Sequence, residues 1–235
     1  MRSKCCCILV FIVALVSAAG ATSISMINPG FETGDLTGWD IGGVWGKNDS
    51  VSTDYAHSGS YSDKIVNDGS VSGSDIYGYS LNCPVGGDWN AHTIAAGDTL
   101  ILTAWVLNPS SDPLKPGETG RLGISVAGDT SGWLYTYSDT LFDGTLPQDT
   151  WVQVSYQLTV PQGDYRLLQI EINMLQSSSM SGGTVYADDF HIDRILAGSC
   201  QAGVYLEGDI NEDCYVNFQD FALLAQNWLK DNYLY

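Results

Sequence analysis

Apolar, strand-like runs alternate with polar clusters of Gly, Ser, Asp and Asn from residue 24 to about residue 197. The clearest runs cover residues 99–107, 120–127, 133–138, 151–160, 165–175 and 184–192, all rich in Val, Ile, Thr, Tyr and Trp. Turn-forming clusters separate them: Asn108-Pro109 with Asp112-Pro113, Asp143-Gly144, Pro161 with Gly163, and Gly182-Gly183. Many short strands punctuated in this way predict a mainly β fold, a sandwich or a barrel. A helical period shows only near the end, where Phe221, Leu224 and Trp228, flanked by Leu223 and Ala225, predict a short helix that buries those three side chains.

The N-terminal apolar run has a different character. It covers residues 5–16, follows Arg2 and Lys4, and leads to Ala19-Gly20-Ala21. A basic start, a short apolar stretch and a small-residue cleavage pattern predict a secretory signal peptide over residues 1–21. The run is short for a bilayer span and lacks a basic flank after it, so export is expected rather than membrane anchoring. The predicted organisation is a sandwich over residues 22–196, a linker over 197–207 and a small module over 208–235.

Charge narrows the partners. Nine Lys and Arg stand against 27 Asp and Glu, for a net charge of −18, and loss of Arg2 and Lys4 would make it more negative. Such a surface repels nucleic acid and anionic membranes, and suits a secreted protein that holds Ca²⁺ and meets neutral partners. After Cys5, Cys6 and Cys7 leave with the peptide, Cys83, Cys200 and Cys214 remain. In an oxidising compartment a Cys200–Cys214 disulfide is expected, because both flank one short loop, with Cys83 left over.

That loop carries the most specific chemistry in the chain. Asp209, Asn211, Asp213, Asn217 and Asp220 stand at positions one, three, five, nine and twelve, and Tyr215 at position seven offers its backbone carbonyl. This is the spacing with which an EF-hand loop wraps about six to eight oxygens around Ca²⁺. Cys214 takes position six, where Gly is usual, and Asp220 stands where the longer Glu is usual. With the Asp-Phe-Ala-Leu-Leu start of the following helix, the stretch resembles one repeat of a type I dockerin. The resemblance implies a cohesin-like protein as docking partner, although the family usually carries two repeats and only one is found here.

A second resemblance rests on three pieces: Asn28-Pro-Gly-Phe-Glu32 with Trp39, His57-Ser-Gly-Ser-Tyr61, and Tyr186-Ala-Asp-Asp-Phe190. Together they resemble carbohydrate-binding modules with a galactose-binding-like, jelly-roll β-sandwich. The resemblance implies a structural Ca²⁺ held by the side chains of Glu32 and Asp188, with backbone oxygens from around Asn28 and from the turn at His57. Strand alternation places only one of Asp188 and Asp189 inward.

A sugar site needs aromatic faces for the ring and polar groups for its hydroxyls. The candidates are Trp45, Trp89, Tyr77, Tyr79, Trp133, Tyr135 and Tyr137, with Asn48, Asp49 and Asn90 as polar neighbours. Trp105, Trp151 and Phe190 are assigned to packing. No motif singles out a carboxylate pair for glycoside hydrolysis, and His57, His92 and His191 are scattered. The expected function is a secreted, non-catalytic protein that binds a polysaccharide or glycoconjugate through the sandwich and anchors through the Ca²⁺-dependent dockerin-like module. The alternatives are a structural or adhesive surface protein without glycan specificity and, less favoured, a polysaccharide-degrading enzyme.

Overall fold

The computed structural model describes residues 21–39, 49–67, 76–84, 94–177, 182–197, 208, 210 and 218–227. The chain falls into two compact units, one spanning Thr22–Ser199 and the other joining Met1–Ala21 with Cys200–Tyr235.

The larger unit is a sandwich of antiparallel sheets, the fold class the strand-like runs predict. One sheet has the order β2 (Asp49–Ser52), β3 (Ser62–Val66), β11 (Thr184–Ile195), β5 (Thr99–Leu107) and β9 (Val152–Thr159), with β1 (Ala21–Ser23) also pairing with β11. The other has the order β4 (Ile76–Pro84), β10 (Tyr165–Ser177), β6 (Thr119–Gly128) and β7 (Gly132–Tyr137), with β8 (Phe142–Asp143) pairing with β6. Alternate residues of each sheet meet between the layers. Leu100, Leu102, Ala104 and Val106 of β5 face Leu122, Ile124 and Val126 of β6 and Leu168, Ile170, Ile172 and Met174 of β10 in one fully enclosed cluster. The six long strand-like runs coincide with β5, β6, β7, β9, β10 and β11 to within a few residues.

The first segment is pinned to β11 by aromatic packing. Phe31 stacks on Trp39 with ring centres 5.2 Å apart, and both meet Phe190 edge-on at 6.1 and 4.8 Å. The Trp39 indole N–H donates to the Asn28 carbonyl at 2.9 Å, and the Phe190 amide donates to Pro29 at 3.0 Å. Asn28 and Phe31 both sit in the left-handed region, at φ 51° and 60°, a conformation that surrounding packing must hold in place.

In the smaller unit, helix α1 (Phe218–Asn227) begins two residues before the end of the acidic loop. Its expected burial is overturned. Phe221 is 63% exposed, Leu224 41% and Phe218 88%, whereas Asp220 is buried and accepts the Ile210 amide at 2.8 Å. At this end of the helix the covered side therefore carries the Asp220 carboxylate, while Phe221 and Leu224 stand exposed. Trp228 lies outside the described residues.

Candidate functional site

The outer face of the second sheet departs from an ordinary solvated surface. Its registers align Asn173 with Arg121, Glu171 with Gly123 and Tyr137, Gln169 with Ser125 and Tyr135, and Leu167 with Ala127 and Trp133. Because β7 alternates, Trp133, Tyr135 and Tyr137 share this side. Trp133 and Tyr135 are 40% and 55% exposed and lie nearly parallel, 15° apart with ring centres at 5.6 Å. The Arg121 guanidinium sits 3.9 Å from the centre of the Tyr137 ring, a cation–π contact.

Beside these rings the polar residues are buried. Ser125 is fully enclosed, Glu171 is 4% exposed and Asn173 6%. The Ser125 hydroxyl donates to Glu171 Oε1 at 3.4 Å. Burial pushes the Glu171 carboxyl above the ordinary glutamate range, against the opposing pull of Asn173, Tyr137, Arg121 and Ser125. Burial, and then the Glu171 charge, push the Tyr137 phenol up to about 12. Gly123 makes this proximity possible: a Cβ there would stand 2.5 Å from Glu171 Cγ and 2.9 Å from Tyr137 Cδ1. Two buried donors, Arg121 Nε and Asn173 Nδ2, have no hydrogen-bond partner. Both atoms lie beneath the surface of the face that carries the exposed rings, with Asn173 close enough to Glu171 to oppose its rise.

A second arrangement joins the three pieces that carry the jelly-roll resemblance. Asp188 is fully buried; its Oδ2 accepts the His57 and Ser58 amides at 2.7 and 3.3 Å, and its Oδ1 accepts the Asp189 amide at 2.7 Å. Burial pushes the Asp188 carboxyl up to about 6, opposed by those amides. Glu32 Oε1 accepts the Ser60 and Tyr61 amides at 2.9 and 3.0 Å. Alternation correctly places one aspartate inside, but it does not separate the pair. The ladder of β11 is irregular between Asp188 and His191, and Asp189 turns to φ 47°. Asp189 thereby accepts the Ser58 hydroxyl at 2.8 Å and lies 2.7 Å from His57 Nδ1. Trp105 and Trp151 hold His57, the first stacked at 3.9 Å and the second edge-on at 5.7 Å.

Two of these carboxylates face Gly30, where a Cβ would lie 3.1 Å from Asp189 Oδ1 and 3.4 Å from Asp188 Oδ1. Glu32 nears it only through Cγ at 4.0 Å, its carboxylate turned to the Ser60 and Tyr61 amides. The oxygen-only donors around that gap fit a hard cation. Among the described residues, however, no group of three or more His, Cys, Asp or Glu is gathered tightly enough to chelate an ion by side chains alone.

Of the expected sugar-site residues, the structure brings Trp133, Tyr135 and Tyr137 together. Tyr77 and Tyr79 lie on β4 in register with Gln176 and Met174, and their side chains lie outside the described set, as does that of Cys83. Trp45, Trp89, Asn48 and Asn90 also lie outside it, as do Asp209, Asn211, Asp213, Tyr215, Asn217, Cys200 and Cys214. Asp49 is not a sugar contact. It opens β2 with its carboxylate buried on the inner face of the sheet, so the expectation of a polar partner beside Trp45 is corrected. Sequence reasoning missed Arg121, Ser125, Glu171 and Asn173. Their only signal was a polar residue at every second position of β6 and β10, which any half-solvated strand also shows.

No family model matches the chain, and no curated protein matches it. Solved structures share its architecture. The arabinose-bound α-L-arabinofuranosidase MgGH51, 14% identical, matches over 73% of this chain and 26% of that one with a TM-score of 0.50. The CBM22-1 xylan-binding domain of Paenibacillus barcinonensis Xyn10C is 16% identical over 75% of this chain and 94% of that one, TM-score 0.45. TmCBM61 in complex with β-1,4-galactotriose is also 16% identical, over 73% of this chain and 98% of that one, TM-score 0.45. At these identities the likeness is one of fold, and many of the structures sharing it are jelly-roll carbohydrate-binding modules. No described helix is long and apolar enough to cross a membrane.

Proposed function

We propose that this chain is a non-catalytic carbohydrate-binding protein whose site is the outer face of β6, β7 and β10. The observation that carries the reading is the exposed, nearly parallel Trp133–Tyr135 pair, with Ser125 and Gln169 in register with Tyr135 and Glu171 in the next row. A sugar ring offers an apolar C–H face to the aromatics and hydroxyls to the polar groups around them. Glu171 is the sole carboxylate among these described site residues, whereas glycoside hydrolysis ordinarily uses a facing pair. The acidic chain favours a neutral polysaccharide or glycoconjugate. The test is a glycan array followed by titration calorimetry on the best ligand. Trp133→Ala with Tyr135→Ala is expected to weaken binding at least tenfold, about 1.4 kcal/mol, with the fold intact. Unchanged affinity would remove the site from this face, and silence across neutral glycans would favour the adhesive alternative.

The chain is also read as secreted, with Ca²⁺ in two places. Glu32 and Asp188 would hold one structural ion beside Gly30, since Asp188 Oδ1 is engaged by a single amide and keeps a lone pair for a cation. The loop of Asp209, Asn211, Asp213, Tyr215, Asn217 and Asp220 would hold another and serve a dockerin-like anchoring role toward a cohesin-like protein, with a Cys200–Cys214 disulfide bracing it. In support, Asp220 turns inward from the start of α1 and accepts the amide of Ile210, the second loop position.

A further inference from the structure

The edge of the first sheet holds two carboxylates for which neither the fold nor the sugar site has a use. The register sets Asp49 of β2 opposite Ile65 and Asp63 of β3 opposite Val51, so the two acids are diagonal neighbours on one face. That face is the inside of the sandwich. Beyond β3 the same rows continue into Val185 and Ala187, and Ile65, Val185 and Ala187 are all fully buried. Asp63 is 0% exposed and Asp49 8%, and all four of their carboxylate oxygens are buried with no hydrogen-bond partner. The nearest cation in sequence, Lys64, alternates to the opposite side, where it pairs with Asp54 at 2.9 Å and lies over the Tyr186 ring. No described Lys, Arg or His forms an ion pair with either acid.

Other buried carboxylates of this sandwich each have hydrogen-bond donors, Asp188 three amides and Glu171 the Ser125 hydroxyl. Glu118 receives Asn67 and the Lys115 amide, and Asp98 receives Arg194 and two backbone amides. The orphaned pair is thus a local exception. Burial pushes Asp49 up to about 8, and burial together with the neighbouring Asp49 charge pushes Asp63 well above the carboxylate range. The Lys64 and Ser50 amides oppose the rise at Asp63 without reaching hydrogen-bonding geometry. Such a pair is relieved by protons or by a cation. Two carboxylates match the charge of one divalent ion and supply up to four hard oxygens, with water able to complete the shell. β2 is the end strand of its sheet among the described strands, which sets Asp49 nearer the rim than Asp63, 8% against 0% exposed.

We propose that Asp49 and Asp63 form a divalent-cation site of calcium-type oxygen chemistry at the β2–β3 edge, separate from the Glu32–Asp188 cradle and from the C-terminal loop. The test counts Ca²⁺ equivalents on the full chain by native mass spectrometry. Asp49→Asn with Asp63→Asn keeps shape while removing charge, and it is expected to lose one equivalent relative to the unaltered protein while retaining the others. An unchanged count would overturn the proposal and leave a protonated acid pair. A measurement on the unaltered chain decides the case in which the double variant does not fold. The assigned Asp49 and Asp63 carboxyl ¹³C signals should move together as Ca²⁺ is added at neutral pH. Signals that stay in place up to about 10 mM, above the range of weak extracellular sites, would refute the site.

Discussion

Asp98 shows how a carboxylate can be buried in this protein without strain on its charge. Its Oδ2 meets Arg194 Nε at 2.7 Å and the Ala95 amide at 2.7 Å, and its Oδ1 accepts the Ala197 amide at 2.8 Å. Asp98→Ala takes the shared acceptor from Arg194 and from two backbone amides, so it is expected to destabilise the sandwich by about 3 kcal/mol, measured by urea unfolding. Glu171 behaves differently because its raised pKa reflects burial that its neighbours only partly offset. The fold holds its proton more tightly than the unfolded chain does. Its contribution is therefore fully present below the ordinary glutamate range and lost as pH rises through the raised value. Glu171→Gln removes that slope: its stability relative to the unaltered protein should grow between acid and neutral pH, and a constant difference would contradict the assignment. Neither residue's role was legible in the sequence. An aspartate before a strand and a glutamate inside one look the same whether they face water, an arginine or a closed pocket.

At the scale of elements, the turn at residues 57–60 does more than connect. Its amides point at Asp188 and Glu32, and Gly59 allows this because it sits at φ 63° with Glu32 directly against it. A Cβ on Gly59 would fall 2.3 Å from Glu32 Cδ. Gly59→Ala is therefore expected to destabilise by more than about 1 kcal/mol, through both the backbone and the displaced carboxylate. If Ca²⁺ sits in this cradle, the variant should also lose any calcium-dependent rise in thermal midpoint; a midpoint equal to that of the unaltered chain would refute both effects. The long strands β5, β6, β9, β10 and β11 were legible as runs rich in Val, Ile, Thr, Tyr and Trp set between turn clusters. β2, β3 and β8 were not, being short and polar, as in Asp-Ser-Val-Ser for β2. Only pairing with a longer neighbour makes them strands. Helix α1 was legible as a helix, while the inward turn of Asp220 and the exposure of Phe221 and Leu224 were not.

At the scale of the whole molecule, the described members of the sandwich core all lie between residues 31 and 192, within the larger of the two compact units. A chain limited to residues 22–199 should unfold cooperatively, with a midpoint within about 3 °C of the full protein by calorimetry, and should match the full protein in the glycan titration proposed above. A non-cooperative melt would show that the second unit completes the first. What the sequence by itself determined is local and periodic. Strand-like runs implied the sandwich, turn residues marked the breaks between strands, and the spacing of oxygen-bearing side chains picked out the 209–220 loop as a calcium candidate. Only the tertiary structure decided which outward positions become a site. Trp133 and Tyr135 stack because β7 lines them up, Glu171 and Tyr137 meet across Gly123, and Asp188 and Asp189 act together because β11 breaks its ladder between them. Periodicity specifies which face of a strand a side chain takes. What lies across from it, and whether its polar atoms are met or left open, depends on strand order and register between segments far apart in the chain.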